Sequence, residues 1–270
     1  VIEVDHLSYD YLAESGHRRR VLDEVQLEIR EGEFLAMMGA NGSGKSTLAR
    51  CLNGLLQPSG GQVRVDGLST RDSEALAAIR RRVAMLFQNP DNQIVSATVE
   101  REIAFGLENI GLDYEEMHRR VEAMMAKFRL LPYRRKSPHY LSGGEKQRLA
   151  LAAVLAMEPV YLILDEPTSL LDPTDRKEMI RLFREWHDQA DTPRRATLLI
   201  TQFPEEALVA DRLLILQRGR IIMDDRPETL LGRTRELAEI GLDSPVQFKL
   251  HHLLGNVKQV PQVKLDLENE

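Results

Sequence analysis

Three short stretches of this 270-residue chain hold residue types that could bind or cleave a phosphate. The first is Gly39-Ala40-Asn41-Gly42-Ser43-Gly44-Lys45-Ser46, between the apolar run Phe34–Met38 and a helical pattern that opens near Lys45. Glycines let a backbone wrap closely round an anion, and N–H groups at a helix N-terminus attract negative charge. Lys45 can reach β- and γ-phosphates, and the Ser46 hydroxyl can ligate Mg²⁺. The second stretch is Tyr161-Leu162-Ile163-Leu164-Asp165-Glu166, an apolar strand ending in two carboxylates. Asp165 can hold Mg²⁺ through water, and Glu166 can orient or deprotonate an attacking water. The third is Leu141-Ser142-Gly143-Gly144-Glu145-Lys146-Gln147, ahead of the apolar run Leu149–Met157. Ser142, Gly143 and Gly144 offer a hydroxyl and N–H groups at a helix start, a second anion site.

The elements that must position these residues follow from hydropathy patterning. Ile2–Tyr11 and Val21–Ile29 predict strands separated by the polar stretch Glu14–Arg20. Further strands are predicted at Phe34–Met38, Val63–Val65, Val83–Phe87, Tyr161–Leu164, Thr197–Thr201, Leu213–Leu216 and Ile221–Met223. Apolar residues three and four apart predict helix from Val99 to Phe128, then at Leu149–Met157 and Thr174–Gln189. Buried apolar strands alternating with helices argue for an α/β fold with a largely parallel core. The helical block at roughly 90–158 breaks the alternation and reads as an inserted subdomain. A separate pattern begins after about residue 232, and 257–270 is a polar tail.

Composition bounds the function. The chain is 43% hydrophobic and 29% charged, enough to bury a core. Its net charge, 36 − 42 = −6, gives no support to nucleic-acid binding. A single cysteine, Cys51, excludes an internal disulfide and suits a reducing compartment. The longest uncharged apolar run, Leu149–Met157, has nine residues, whereas a membrane span needs about 20. A secretory leader is not expected, because the first residues lack a charged-then-apolar pattern.

Leu141–Gln147, between the glycine loop and Asp165-Glu166, resembles the signature motif of ATP-binding cassette (ABC) ATPases. The resemblance runs from about Ile2 to Leu231. It implies a RecA-like P-loop core with an antiparallel β subdomain, an inserted α-helical subdomain and a small C-terminal extension. It implies ATP and Mg²⁺ as cofactors, bound by Gly39, Asn41, Gly42, Ser43, Gly44, Lys45, Ser46 and Thr47. Gln88 resembles the glutamine that reaches the metal and the attacking water, alongside Ser46 and Asp165. Ser169-Leu170-Leu171-Asp172 resembles the loop in which Asp172 links two sites. Tyr11 resembles the aromatic that stacks on adenine, with Tyr9 as the alternative. Two subunits are then expected to pair head to tail, each ATP lying between one phosphate loop and the other's Ser142–Gly144.

A narrower resemblance rests on Phe87–Val95, Thr98-Val99-Glu100, Ile103–Gly106 and Glu239–Pro245. These are similar to energy-coupling factor ATPases, which power prokaryotic importers of vitamins and of cobalt or nickel; the alternative is a generic ABC importer ATPase. The implied partners are a related or identical ATPase, a membrane-embedded coupling subunit docking after Gln88, and a substrate-binding membrane subunit. The implied location is the cytoplasmic face of the cell membrane. The domain division expected is 1–232 for the ATPase and 233–270 for a dimerising extension. ABC ATPases acting on DNA or ribosomes tend to carry two cassettes or a coiled-coil insertion, and neither is present.

One position departs from the family. Thr201-Gln202 stands where Thr-His is usual. Glutamine can hydrogen-bond a phosphate but carries no charge. Loss of a charge-assisted bond removes roughly 1–2 kcal/mol, about tenfold in rate. The chain is therefore expected to be a working but slower ATPase, or an ATP-dependent dimerisation module paired with a more active subunit. The clusters Arg18–Arg20, Arg80–Arg82 and Arg134–Lys136 read as solvated faces, with Arg134–Lys136 the better candidate for a membrane partner. His251-His252 lacks further ligands at metal spacing, and Cys51 and Trp186 read as packing residues.

Overall fold

The computed structural model describes residues 1–12, 16–189 and 194–254. Strands β1 (Ile2–Leu12) and β2 (Arg18–Ile29) form an antiparallel ribbon, pairing Ile2 with Ile29 and Tyr11 with Arg19. The fully buried β3 (Phe34–Met38) leads through the glycine loop into α1 (Lys45–Leu52). Strands β4 (Gly60–Val65) and β5 (Leu68–Ser69) then extend the ribbon into a four-stranded sheet, order β2-β1-β4-β5. Helix α2 (Leu76–Arg82) delivers β6 (Val83–Leu86) to a second sheet.

The helical block follows. One continuous pattern was predicted from Val99 to Phe128, but it divides into α3 (Val99–Asn109) and α4 (Tyr114–Lys127). Gly111 adopts φ 78°, a left-handed turn that ends a helix, and the Asp113 carboxylate caps the next by accepting from Glu116 N–H. Helix α5 (Gly143–Ala156) starts six residues before the predicted Leu149. Ser142 and Glu145 cap it reciprocally, so its first turn is built by hydrogen bonds and not by apolar periodicity. The signature residues therefore form that first turn.

Five elements complete the core: β7 (Tyr161–Asp165), α6 (Pro173–Asp188), β8 (Ala196–Ile200), α7 (Pro204–Ala207) and β9 (Arg212–Gln217). The central sheet has the order β10-β9-β3-β8-β7-β6, with β10 spanning Arg220–Asp225. It is parallel except for the β9–β10 hairpin. Strands β3, β7 and β8 are buried at every residue because both sheet faces are covered. Alternation sends Leu35 and Met37 toward the antiparallel sheet and α1, and Phe34, Ala36 and Met38 toward the helical side. The chain continues through α8 (Pro227–Leu231), α9 (Thr234–Glu239) and α10 (Val246–Leu254). Buried Leu237 and half-buried Phe248 rest on the helical-side core. The predicted polar tail 257–270 and the side chains of His251-His252 lie outside the described residues. Among the described residues, no helix is long and apolar enough to cross a membrane.

Candidate active site

Strands β3, β7 and β8 end side by side, and their following loops share one edge of the sheet. The glycine loop there has little freedom. A Cβ on Gly39 would lie 2.3 Å from the Leu216 carbonyl oxygen. Gly44 holds φ 109°, in the left-handed region that favours glycine, and opens α1. Lys45 is buried and donates from Nζ to the Gly39 carbonyl at 2.7 Å. Burial pulls its pKa down, against the opposing pull of Glu166 and Asp165. Ser43 Oγ is buried without a hydrogen-bond partner, an orphan aimed within a loop suited to an anion.

Asp165 ends β7 and Glu166 follows it. Ser46 Oγ donates to Asp165 Oδ1 at 3.0 Å. Burial raises the Asp165 pKa, and the Ser46 hydrogen bond opposes that rise. Glu166 has φ 48°, a strained conformation for a non-glycine residue, and its N–H donates to Ile200 O. Its carboxylate lies 3.7 Å from Lys45 Nζ and accepts from Gln88 Nε2 at 2.9 Å. Gln88 thus meets Glu166 directly, and its amide oxygen remains available to a ligand.

Lys45, Ser46, Gln88 and Glu166 line an open cleft of about 670 Å³, with Asp165, Gly39 and Ser43 behind its wall and not among the lining residues. Tyr11, Asn41, Gly42, Gly44, Thr47 and Gln202 complete it, together with Arg19 and Val21. Tyr11 is the aromatic on the cleft wall, its hydroxyl 3.4 Å from Thr47 Oγ1. Tyr9 packs on the core beneath and meets Tyr11 edge-on. Arg19 was missed by the sequence reading, which took Arg18–Arg20 as a solvated face. Strand register separates the cluster. Arg20 pairs with Asp10 across the ribbon and forms an ion pair with it, whereas Arg19 pairs with Tyr11 and shares its cleft-facing side.

Ser142, Gly143, Gly144 and Asp172 are not among the residues lining this cleft. Ser142 caps α5, and the Asp172 carboxylate caps α6 by accepting from Thr174 and Asp175 N–H. Gly143 is exposed, with no atom within 4 Å of an added Cβ. Three other residues gain a definite place. Arg134 is held by Glu122 and Glu100, which raise its pKa, so it braces the helical block. Cys51 is buried, which pushes its thiol up to about 12. Trp186 is buried in the helical-side core.

The ABC transporter family model matches residues 22–169, more than half of the chain. The chain belongs to the ABC transporter family. The energy-coupling factor transporter ATP-binding protein EcfA1 of Symbiobacterium thermophilum is 46% identical over 248 residues, 90% of this chain and 85% of that protein. The cobalt import ATP-binding protein CbiO of Syntrophus aciditrophicus is 44% identical over 250 residues, 93% of this chain and 87% of that protein. The solved cbiO1 of Clostridium perfringens, described as part of a transporter complex cbiONQ, matches with TM-score 0.77 and 31% identity. That match covers 93% of this chain and 98% of that one. A dimeric structure of the cassette MJ0796, bound to ADP and Pi, matches with TM-score 0.76 and 26% identity over 84% of this chain and 99% of that one. Within the family, the chain is of the energy-coupling factor ATP-binding type. Its fold is the ABC ATPase fold, antiparallel and helical subdomains included, and its activity is ATP hydrolysis coupled to transport.

Proposed function

We propose that this ABC ATPase hydrolyses Mg²⁺-bound ATP in the cleft between its two sheets, with Glu166 as the group that orients or deprotonates water. The single observation carrying this is the convergence of Lys45, Ser46, Asp165, Gln88 and Glu166, joined by contacts of 2.9–3.7 Å. Lys45 and the loop N–H groups bind the phosphates, and nucleotide oxygens replace the Gly39 carbonyl as Lys45's partners. The oxygen donors Ser46 Oγ and Asp165 Oδ1 suit Mg²⁺ in kind, with the Gln88 amide oxygen nearby. Among the described residues no group of three His, Cys, Asp or Glu could hold a metal, so phosphate oxygens and water would complete such a site. The ion would supply neutralisation of the charge that develops on the phosphates. Gln88 orients Glu166, and Glu166 takes or directs the water proton. Gln202, on the cleft wall, donates to the γ-phosphate without a charge.

The second half of the reading concerns partners. Ser142–Gly144 lie outside the chain's own cleft, which supports head-to-tail pairing in which they close the partner's ATP site. The pair is two copies or two related chains. Val95 is exposed, and a groove of about 570 Å³ containing Gln93, Phe105 and Ile110 lies in the same region. This supports docking of a membrane-embedded coupling subunit beyond Gln88, at the cytoplasmic face of the membrane. The cargo, a vitamin or a cobalt or nickel ion, would be chosen by a separate membrane subunit.

The test is Glu166→Gln. Steady-state turnover should fall by at least about a hundredfold while ATP binding persists, because only the proton-handling group is lost. Normal hydrolysis by that variant would refute the assignment.

A further inference from the structure

Outside the cleft, one buried titratable group has no part in the chemistry so far described. Glu206 on α7 is 6% exposed, and its two carboxylate oxygens reach in different directions. Oε1 accepts from Thr168 Oγ1 at 2.7 Å, and Oε2 accepts from Thr201 Oγ1 at 2.6 Å. Both threonines are 1% exposed, so neither hydroxyl has water as an alternative partner.

What these threonines hold matters more than their burial. Thr201 Oγ1 also accepts from Phe203 N–H at 3.0 Å, so Gln202 is spanned on both sides by one hydroxyl. Thr168 belongs to the tight turn after Glu166. Ser169 N–H donates to Glu166 O, and Leu171 N–H donates to Thr168 O, just before Asp172. A second tie runs parallel to the first: the Arg176 guanidinium stacks 3.8 Å over the Phe203 ring. Arg176 N–H in turn donates to Asp172 O.

We propose that Glu206 is a positioning residue, one that locks the Gln202 loop to the turn running from Glu166 to Asp172. The water-handling carboxylate, the γ-phosphate donor and the residue expected to face a second copy are thereby set as one unit. The brace rests on the reading of the cleft given above and adds a coupling to it. Burial raises the Glu206 pKa, and the two threonine hydroxyls and then Arg176 oppose that rise. Each oxygen already has its donor, so the group is satisfied in place.

The experiment is a double-mutant cycle in steady-state ATPase assays, with melting temperature recorded for each variant. Glu206→Ala should lower kcat by about tenfold, with KM for ATP within about twofold, because misplacement costs rate before it costs ground-state binding. Glu206→Gln should recover most of that loss, since its amide accepts from one hydroxyl and donates to the other. In a Gln202→Ala background the same Glu206→Ala change should cost at least about threefold less. An equal cost in both backgrounds overturns the brace. So does a loss that Glu206→Gln fails to recover. Where Glu206→Ala does not fold, Thr201→Val removes one arm and enters the same cycle with the same expectations. Glu166→Gln run alongside separates the two levels: turnover persisting there refutes the cleft reading itself, whereas its loss with an equal cost in the cycle refutes only the brace.

Discussion

The phosphate cleft and the signature face are built on opposite plans. In the cleft, polar side chains are turned toward one another and toward an open space. Ser46 is bonded to Asp165, Glu166 meets both Lys45 and Gln88, Ser43 Oγ is left unpartnered, and Glu166 is held in a strained backbone conformation. On the signature face, the polar groups are spent on the chain's own helices. Ser142 and Glu145 cap α5, and Asp172 caps α6. The first region is poised for a ligand, and strain and unmet hydrogen bonds are its marks. The second is a capped helix start with the exposed Gly143 at its tip. Such a surface recognises a phosphate only when something else brings one to it.

That contrast can be broken experimentally. The largest effect should come from Lys45→Ala. Loss of the one buried cation of the phosphate loop should reduce turnover by at least about a hundredfold and weaken ATP binding, as measured by nucleotide titration. Survival of tight binding would show that the loop N–H groups suffice and the cleft is less dependent on charge than its geometry implies. A smaller change should follow Gln202→His. Restoring a group able to carry charge should raise kcat by about tenfold. Undetectable turnover in the parent protein, restored by His, would favour the dimerisation-module reading over the working-ATPase one. The smallest effect belongs to the rim. Arg19→Ala should raise KM for ATP by about three- to fivefold with kcat unchanged, since an exposed charge is worth no more than about 1 kcal/mol. An unchanged KM would return Arg19 to the solvated face.

The legibility of these parts from sequence had physical causes. The glycine loop and the Asp165-Glu166 strand end could be seen because their chemistry is written in adjacent residues. The parallel core could be seen because β3, β7 and β8 are apolar throughout, and only double-sided burial explains that. The start of α5 could be seen from the serine and glycines at Ser142–Gly144 although those positions show no apolar periodicity, and a capping box builds the turn. Arg19 was hidden because its role depends on register: one residue's shift along β2 exchanges Arg20's carboxylates for the cleft. The ion pairs of Arg134 were hidden for the same kind of reason, as its carboxylate partners Glu100 and Glu122 lie 34 and 12 residues away. Glu206 and Thr168 gave no signal at all, and Thr201 drew notice only as the neighbour of Gln202. Each is an ordinary polar residue until the fold buries the three together.

The claim that the signature face completes another copy's site is tested most directly at Gly143. A Cβ added there meets no neighbouring atom within 4 Å, and a carboxylate in the first turn of α5 suits the helix dipole. The variant should therefore fold and melt like the parent. It should also bind ATP in its own cleft with unchanged affinity. The measurement is its steady-state ATPase rate beside that titration. The account predicts turnover reduced by at least about a hundredfold, because the new charge opposes the partner's phosphates. Full turnover with Gly143→Asp would contradict it.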